Sequence, residues 1–532
     1  MENLPLSRSA SDLVPATTAL FADVAFNEGL LRRISDLLGT RDPELAEARE
    51  EVTFEFALSL IGAFTRDNQS PRAYQVLRLL DPVVAEMVLE LVREVDFVTG
   101  ALMPEQRMRA VVLTAAGLMS VVGLHDEAIE IVCDLLVEAN YDLDYAHALF
   151  VAKRKKRGLS DDLSGQFCPV PFERFDVWPE GDVSLCCGNF LRRRTGNIHT
   201  DETDTLWNGQ IAQEIRETIH DGTYRYCDKV RCRKFEIGLV DLAKSDEQIL
   251  EEARPYEAAA NEGSSMDQEM LDFARAEVTI VPTGPRMVNL AFDRTCNLTC
   301  PSCRNEMISA KPDERDRLIR LADEKIMPLL KDTRLLVVTG SGDPFASKTF
   351  RHIMHNLDPY QQPELELKIM TNAVLFTPAE WEKIAHLHGR IRSVTVSIDA
   401  ARPDTYAVVR RGGNWEKLQA NLHFLGGLRS EGAFHEFRLA FCVQDNNWRE
   451  IPEFIDMGRA VGASVVHFAP IENWGTFSHE GYAQKAMQYP SHPDHEAFKA
   501  LLESMDLTDP YAEFGVLEEY MKKSPIGMDW MD

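Results

Sequence analysis

The sequence predicts an α/β protein: an all-α region, then a small α+β cysteine-rich region, then a parallel sheet built from βα units. Three observations carry this prediction. Apolar residues recur at three- and four-residue spacing through much of residues 15–158. Eight of the ten cysteines fall between Cys168 and Cys303. From Met287 onward, strand-like and helix-like runs alternate through six candidate strands.

The chain is 532 residues long, which at roughly 100–200 residues per domain suggests about three or four domains. Hydrophobic residues at 45% and charged residues at 27% are ordinary for a globular chain and exclude a disordered one. Lys+Arg 57 against Asp+Glu 85 leaves a net charge of −28, which disfavours non-specific nucleic-acid binding over the whole surface. No 18-residue apolar run occurs, so no membrane span is expected, and Met1–Leu13 lacks the basic-then-apolar pattern of a signal peptide. Ten cysteines in so large a chain make a poor disulfide scaffold. Metal-binding thiols in a reducing cytoplasm are the better expectation.

The all-α domain is expected over 15–158, from Val52–Phe64, Val83–Val92 and Arg109–Val122. In Leu113–Asn140, Ala116 and Gly117 sit in a first helix and Gly123 ends it. A second helix opens at Asp126 and carries Ile129, Val132, Leu135 and Leu136. This resembles one tetratricopeptide-type hairpin, with a generic helical bundle as the alternative. Lys153–Arg157 reads as a solvated helix end, with local nucleic-acid contact as the alternative. The cysteine-rich domain spans 166–240, and Pro179-Glu180-Gly181-Asp182 reads as its hairpin turn. A helical connector over 241–284 ends at the breaker Pro282–Pro285. The main domain spans 285–480, with strands at Met287–Phe292, Leu335–Thr339, Leu365–Met370, Ser393–Ile398, Phe437–Val443 and Ser464–Phe468. In such sheets chemistry collects at the strands' C-terminal ends. Residues 481–532 form a partly helical extension.

Cys296, Cys300 and Cys303, spaced C-x3-C-x2-C, follow the first of these strands. Chance would give this spacing about 0.004 times per chain of this composition. Zinc normally needs four protein ligands, whereas three thiolates suit an iron–sulfur cube with one open iron. The motif and its βα context resemble the radical S-adenosylmethionine (SAM) enzymes over about residues 285–475. The resemblance implies a partial (βα)6 barrel and a [4Fe-4S] cluster whose open iron chelates SAM. It further implies reductive cleavage of SAM to a 5′-deoxyadenosyl radical, which takes hydrogen from a substrate. Gly340-Ser341-Gly342-Asp343-Pro344 resembles the family's ammonium-binding segment, with Ser341 in place of Gly and Asp343 in place of Glu. Thr371-Asn372-Ala373 resembles a Thr-Asn-Gly segment. Ser397, with Asp399, is expected at the SAM ribose, Arg410 or Arg411 at the SAM carboxylate, and Val465–Phe468 against the adenine. Ser302 stands where many members carry an aromatic residue.

The 166–240 region, with its hairpin entering Cys186-Cys187 and its Trp207-Asn208 helix, resembles the SPASM-type auxiliary iron–sulfur domain. Such domains normally follow the radical core, and here it precedes it. Cys168, Cys186, Cys227 and Cys232 would hold a second, auxiliary [4Fe-4S] cluster. Cys187 is the alternative to Cys186, and zinc the alternative to iron. Cys133 and Cys442, in apolar segments, are expected in the core. His352, His355, His492 and His495 have no supporting carboxylate pattern and are expected to be ordinary histidines.

The resulting expectation is a radical SAM enzyme acting on a peptide or protein, with the helical domain receiving that substrate or a carrier. A sugar or nucleotide sugar is the alternative substrate. A reductant such as flavodoxin or ferredoxin is the implied electron donor. No Asp-x-His-x-x-Gly cobalamin pattern occurs. The rival from another class is a non-catalytic, metal-stabilised binding scaffold.

Overall fold

The computed structural model describes residues 46–65, 70–99, 105–129, 143–259 and 266–517, with positions 31, 34, 36–38 and 132 and without 189, 192, 233, 238, 340, 490 and 516. Contacts divide it into two units, 1–168 with 218–243, and 169–217 with 244–532.

The first unit is helical. Its helices include Ala46–Thr65, Ser70–Leu79, Pro82–Thr99, Glu105–Val122 and Leu143–Lys156. Phe56, Leu60, Phe64, Val88, Leu113 and Leu149 form its core at 0–2% exposure. The second helix of the expected tetratricopeptide-like hairpin lies largely outside the described residues, as does Cys133. The basic run ends the last of these helices, where Lys155 faces Asp161 and Lys156 faces Asp126. A short antiparallel pair, Gln166–Phe167 with Val240–Asp241, closes the unit.

The second unit is built on one sheet. Its strands are β1 (Arg174–Val177), β2 (Asp182–Ser184), β3 (Gly196–Asn197), β4 (Met287–Leu290), β5 (Leu335–Val338), β6 (Glu366–Thr371), β7 (Ile391–Ser397), β8 (Glu436–Val443), β9 (Val465–Pro470) and β10 (Ala512–Glu513). They lie in the order β10-β9-β8-β7-β6-β5-β4-β1-β2-β3. From β10 to β1 every neighbouring pair runs parallel. The six predicted strands are β4 to β9, joined by helical crossovers as a parallel sheet requires.

Side chains alternate between the two faces. On β8, Phe437, Leu439, Phe441 and Val443 are buried. Glu436, Arg438, Ala440 and Cys442 occupy the opposite, partly exposed face. The apolar face meets crossover helices carrying Phe350, Ile353, Leu418, Leu422 and Phe454, all at 0% exposure. Fully burying such side chains contributes about 1.5–3 kcal/mol each.

By contacts the 166–240 segment falls across both units, and its 169–217 part continues the main sheet. The reason is β1, whose Arg174–Val177 ladder with Met287–Leu290 makes the hairpin β1–β2 a continuation of the sheet. After residue 480, β10 pairs with β9 and so continues the same sheet.

The β10 edge carries a pH-dependent contact. Glu513 meets His467 of β9 and Arg438 of β8, and Arg438 also pairs Glu436. The His467 and Arg438 contacts, against the cost of burial, hold the Glu513 carboxyl down from 4.5 to about 2. A depressed carboxyl stabilises the fold above its unfolded value, and that contribution is lost as pH falls toward the folded one. The Glu513→Gln variant is therefore expected to lose part of the acid slope of the thermal midpoint between about pH 4.5 and 2. An unchanged slope would show that this contact contributes nothing.

Candidate functional site

The site is assembled where β4, β5, β6 and β7 end, wholly within the second unit. The loop after β4 carries Cys296 (9% exposed), Cys300 (6%) and the less buried Cys303, which packs against Cys296, Leu298 and Cys300. Its backbone is tied on several sides. Cys296 N donates to Ile308 O at 3.0 Å, Cys303 N to Cys300 O at 3.0 Å, and Thr299 N to Arg411 O at 2.9 Å.

Each of the three sulfurs is met by a nitrogen donor from a different residue. Asn372 Nδ2, just past β6, points at Cys296 Sγ at 3.7 Å. Arg410 Nη1, after β7, points at Cys300 Sγ at 3.8 Å. Arg304 Nη2 points at Cys303 Sγ at 3.3 Å. Such donors suit sulfurs that carry negative charge. Without a metal, burial first and the Asp343 charge second push the Cys296 thiol up to about 11. Burial raises the Cys300 thiol too, against the opposing pull of Arg410. A bound metal core would have to displace these protons, as thiolate ligation requires.

The donor set fits an iron–sulfur core. Three free, clustered thiols lie within one loop, with cationic and amide donors against the sulfurs. Among the described residues no group of three or more His, Cys, Asp or Glu is gathered to hold a single ion. A cube takes each thiolate on a different iron, so its ligands stand further apart than those of one ion.

The turn after β5 is pressed against this loop. A Cβ on Gly342 would stand 2.5 Å from Asp293 O and 2.6 Å from Thr295 O, so only glycine fits there. Ser341 Oγ bonds Ala291 O, and Asp343 N donates to Thr295 O at 2.9 Å. Asp343 itself is 0% exposed. Its carboxylate accepts from Thr371 Oγ1 at 2.7 Å, Asn372 N at 2.9 Å, Phe345 N at 3.0 Å and Ala346 N at 3.2 Å. The sequence assigns Asp343 to an incoming ammonium. The structure aims its carboxylate at neighbouring backbone and hydroxyl groups, tying the end of β5 to the end of β6.

At the end of β7, Ser397 is partly exposed on the face opposite buried Val394, Val396 and Ile398. Asp399 is 2% exposed and has φ +61°, a conformation that Asp tolerates better than most residues. Its Oδ1 accepts from Cys442 N at 2.8 Å and its Oδ2 pairs Arg410 Nη2 at 2.7 Å. Arg410 thus links Asp399 to Cys300. Cys442, expected in the core, is partly buried and packs against the buried cluster of Ile471, Ala486 and Tyr489, where burial and Asp399 raise its thiol.

The auxiliary cysteines fall in both units. In the first, Cys168, Cys227 and Cys232 feel one another's charge, and burial then Cys168 push Cys232 up to about 12. Asp228, at 0% exposure, shapes the Cys227–Cys232 turn by accepting from Val230 N at 3.1 Å and Arg231 N at 2.9 Å. In the second unit, Cys186 and Cys187 follow β2 near the Arg174 guanidinium, which forks onto Asp176 at 2.8 and 2.9 Å. The histidines are ordinary contacts: His352 meets Asp323, and His492 and His495 meet the backbone carbonyls of Gln484 and Met487.

Residues 291–457 match the radical SAM superfamily, and residues 168–233 match the SPASM iron–sulfur cluster-binding domain, which therefore precedes the core. No curated protein sequence matches the chain. Among solved structures, it is similar to TYW1 with a lysine-pyruvate adduct bound, at 13% identity over 41% of this chain and 73% of that one, TM-score 0.27. It is similar to Streptococcus suis SuiB bound to S-adenosylmethionine, at 12% identity over 55% of this chain and 62% of that one, TM-score 0.29. SuiB bound to precursor peptide SuiA matches at 13% identity over 56% of this chain and 62% of that one, TM-score 0.26. The chain thus spans about three fifths of these SuiB chains. The two domain matches imply a [4Fe-4S] cluster with SAM, auxiliary iron–sulfur binding, and an enzyme that draws on a reductant. Among the described residues no helix is long and apolar enough to cross a membrane.

Proposed function

We propose, for a chain that carries a SPASM domain ahead of a radical SAM core, that it reductively cleaves SAM and abstracts hydrogen from a peptide or protein substrate. The observation that carries the radical chemistry is the pairing of Cys296, Cys300 and Cys303 with three separate nitrogen donors. When bound, the cluster and SAM supply the 5′-deoxyadenosyl radical that performs the abstraction.

The chain's own residues bind, orient and hold. Cys296, Cys300 and Cys303 ligate the cluster, while Arg304, Arg410 and Asn372 offset its thiolate charge. Ser341 and Gly342 bring their turn against the cysteine loop, and Asp343 pins that turn to Thr371 and Asn372. Ser397 offers its hydroxyl to the ribose. Asp399 holds Arg410 in place. Cys168, Cys227 and Cys232 ligate the auxiliary cluster, with Cys186 as the fourth thiolate on the sequence pattern alone. The peptide reading rests on the SPASM domain and the separate helical domain. Flavodoxin or ferredoxin is the electron donor, in a reducing cytoplasm.

Anaerobic purification tests the reading. Two [4Fe-4S] clusters give about eight irons per chain, and SAM with reductant gives 5′-deoxyadenosine. Zinc in place of iron, with no SAM cleavage, would instead identify a metal-stabilised scaffold. A peptide substrate predicts tight binding to a co-encoded small protein, whereas a sugar substrate would turn over without one.

A further inference from the structure

Tyr406 is 1% exposed, and its hydroxyl has no hydrogen-bond partner among the described residues. Leaving a buried hydroxyl unsatisfied costs about 1–3 kcal/mol, so such a group calls for an explanation. It lies on the helix Pro403–Val409 that follows β7, one turn before Arg410, whose N donates to Tyr406 O at 2.8 Å. Arg410 in turn meets Cys300 and Asp399, and the charges of all three act on the Tyr406 hydroxyl. Burial holds the phenol above its ordinary range, so it is protonated and able to donate at neutral pH.

A second orphan accompanies it. Arg410 spends its Nη groups on Cys300 and Asp399, yet its buried Nε has no partner among the described residues. The two residues with unsatisfied donors are four positions apart, and Arg410 meets a cluster ligand. The chain also leaves room for the phenol. A Cβ on Gly413 would come within 2.5 Å of Tyr406 Oη, and Gly413 is fixed by its N–H to Arg410 O at 2.9 Å. Two buried donors without protein partners among the described residues suit an anionic acceptor. SAM has one anionic group, its carboxylate.

We infer that Tyr406 is a further SAM-binding residue, whose phenol donates, together with Arg410 Nε, to the carboxylate of SAM. This rests on the radical SAM reading. The Tyr406→Phe variant keeps the ring and removes only the donor. On the anaerobically reconstituted full chain, equilibrium dialysis should show about tenfold weaker SAM binding, the loss expected for one hydrogen bond to a charged group. Iron content should be unchanged. A decarboxylated SAM analogue should bind wild type and variant equally, because the acceptor is gone. Unchanged SAM affinity in the variant would overturn the inference. So would an equal loss of affinity for SAM and the analogue. A shift in the cluster's reduction potential without a change in SAM affinity would assign the phenol to the cluster sulfurs instead, and also overturn it. If iron-loaded wild type binds no SAM, the radical SAM reading itself fails, an outcome distinct from failure of the Tyr406 assignment alone.

Discussion

Replacing Cys300 with alanine is expected to abolish SAM cleavage and to halve the iron content, from about eight to about four per chain. Cys300 lies in the C-x3-C-x2-C loop at 6% exposure, with Arg410 against its sulfur. Without it the cube loses one of three protein ligands and the loop offers no replacement. The auxiliary thiols Cys168, Cys227 and Cys232 stand far from the C-x3-C-x2-C loop in sequence and need none of its residues, so their cluster should persist. Iron analysis with electron paramagnetic resonance of the reduced protein separates the two. Retained SAM cleavage would refute the assignment of Cys300, and loss of all iron would refute two independent clusters.

Replacing Arg410 with methionine is expected to destabilise the fold by about 3–5 kcal/mol, the cost of leaving a buried charge unpaired. Asp399 has 3% of its side chain exposed and pairs Arg410 at 2.7 Å. Its other oxygen accepts from Cys442 N, a bond that asparagine would keep. The double variant Arg410→Met with Asp399→Asn should therefore recover most of the lost stability while SAM cleavage stays lost. Denaturant unfolding of the two single variants and the double variant measures this coupling. A single-variant cost below about 1 kcal/mol would mean that Asp399 finds solvent when Arg410 is gone.

Much of the fold was legible in the sequence because its signals are local. The β-branched and apolar runs from Met287 to Phe468 became β4 to β9 with ends displaced by only a residue or two. Buried parallel strands read as near-continuous apolar runs, and that pattern survives without knowledge of their neighbours. The hairpin turn Pro179–Asp182 was legible for the same reason, since Trp178 N meets Asp182 O across it at 2.8 Å. The short strand Arg174–Val177 was a different matter. Its four residues show no sign that they pair with Met287–Leu290, more than a hundred positions away. Nor do the two residues of β10 announce that Glu513 will meet Arg438 and His467.

In the site, the sequence by itself determined the ligand-bearing loop. Three cysteines within eight positions need no distant partner to be recognised, because metal-ligand spacing is a local property of the chain. Tertiary structure decided what the surrounding residues do. Asp343, a candidate ligand in sequence, gains hydrogen bonds from neighbouring turns that the sequence does not announce. Cys442 reads as core, and the fold packs it against Ile471, Ala486 and Tyr489 from beyond its own strand. Tyr406 carried no signal at all, since an unsatisfied hydroxyl exists only once the chain is folded around it. The physical reason is the same in each case. Burial and hydrogen-bond satisfaction depend on groups brought together from distant parts of the chain, whereas spacing and periodicity are written along it.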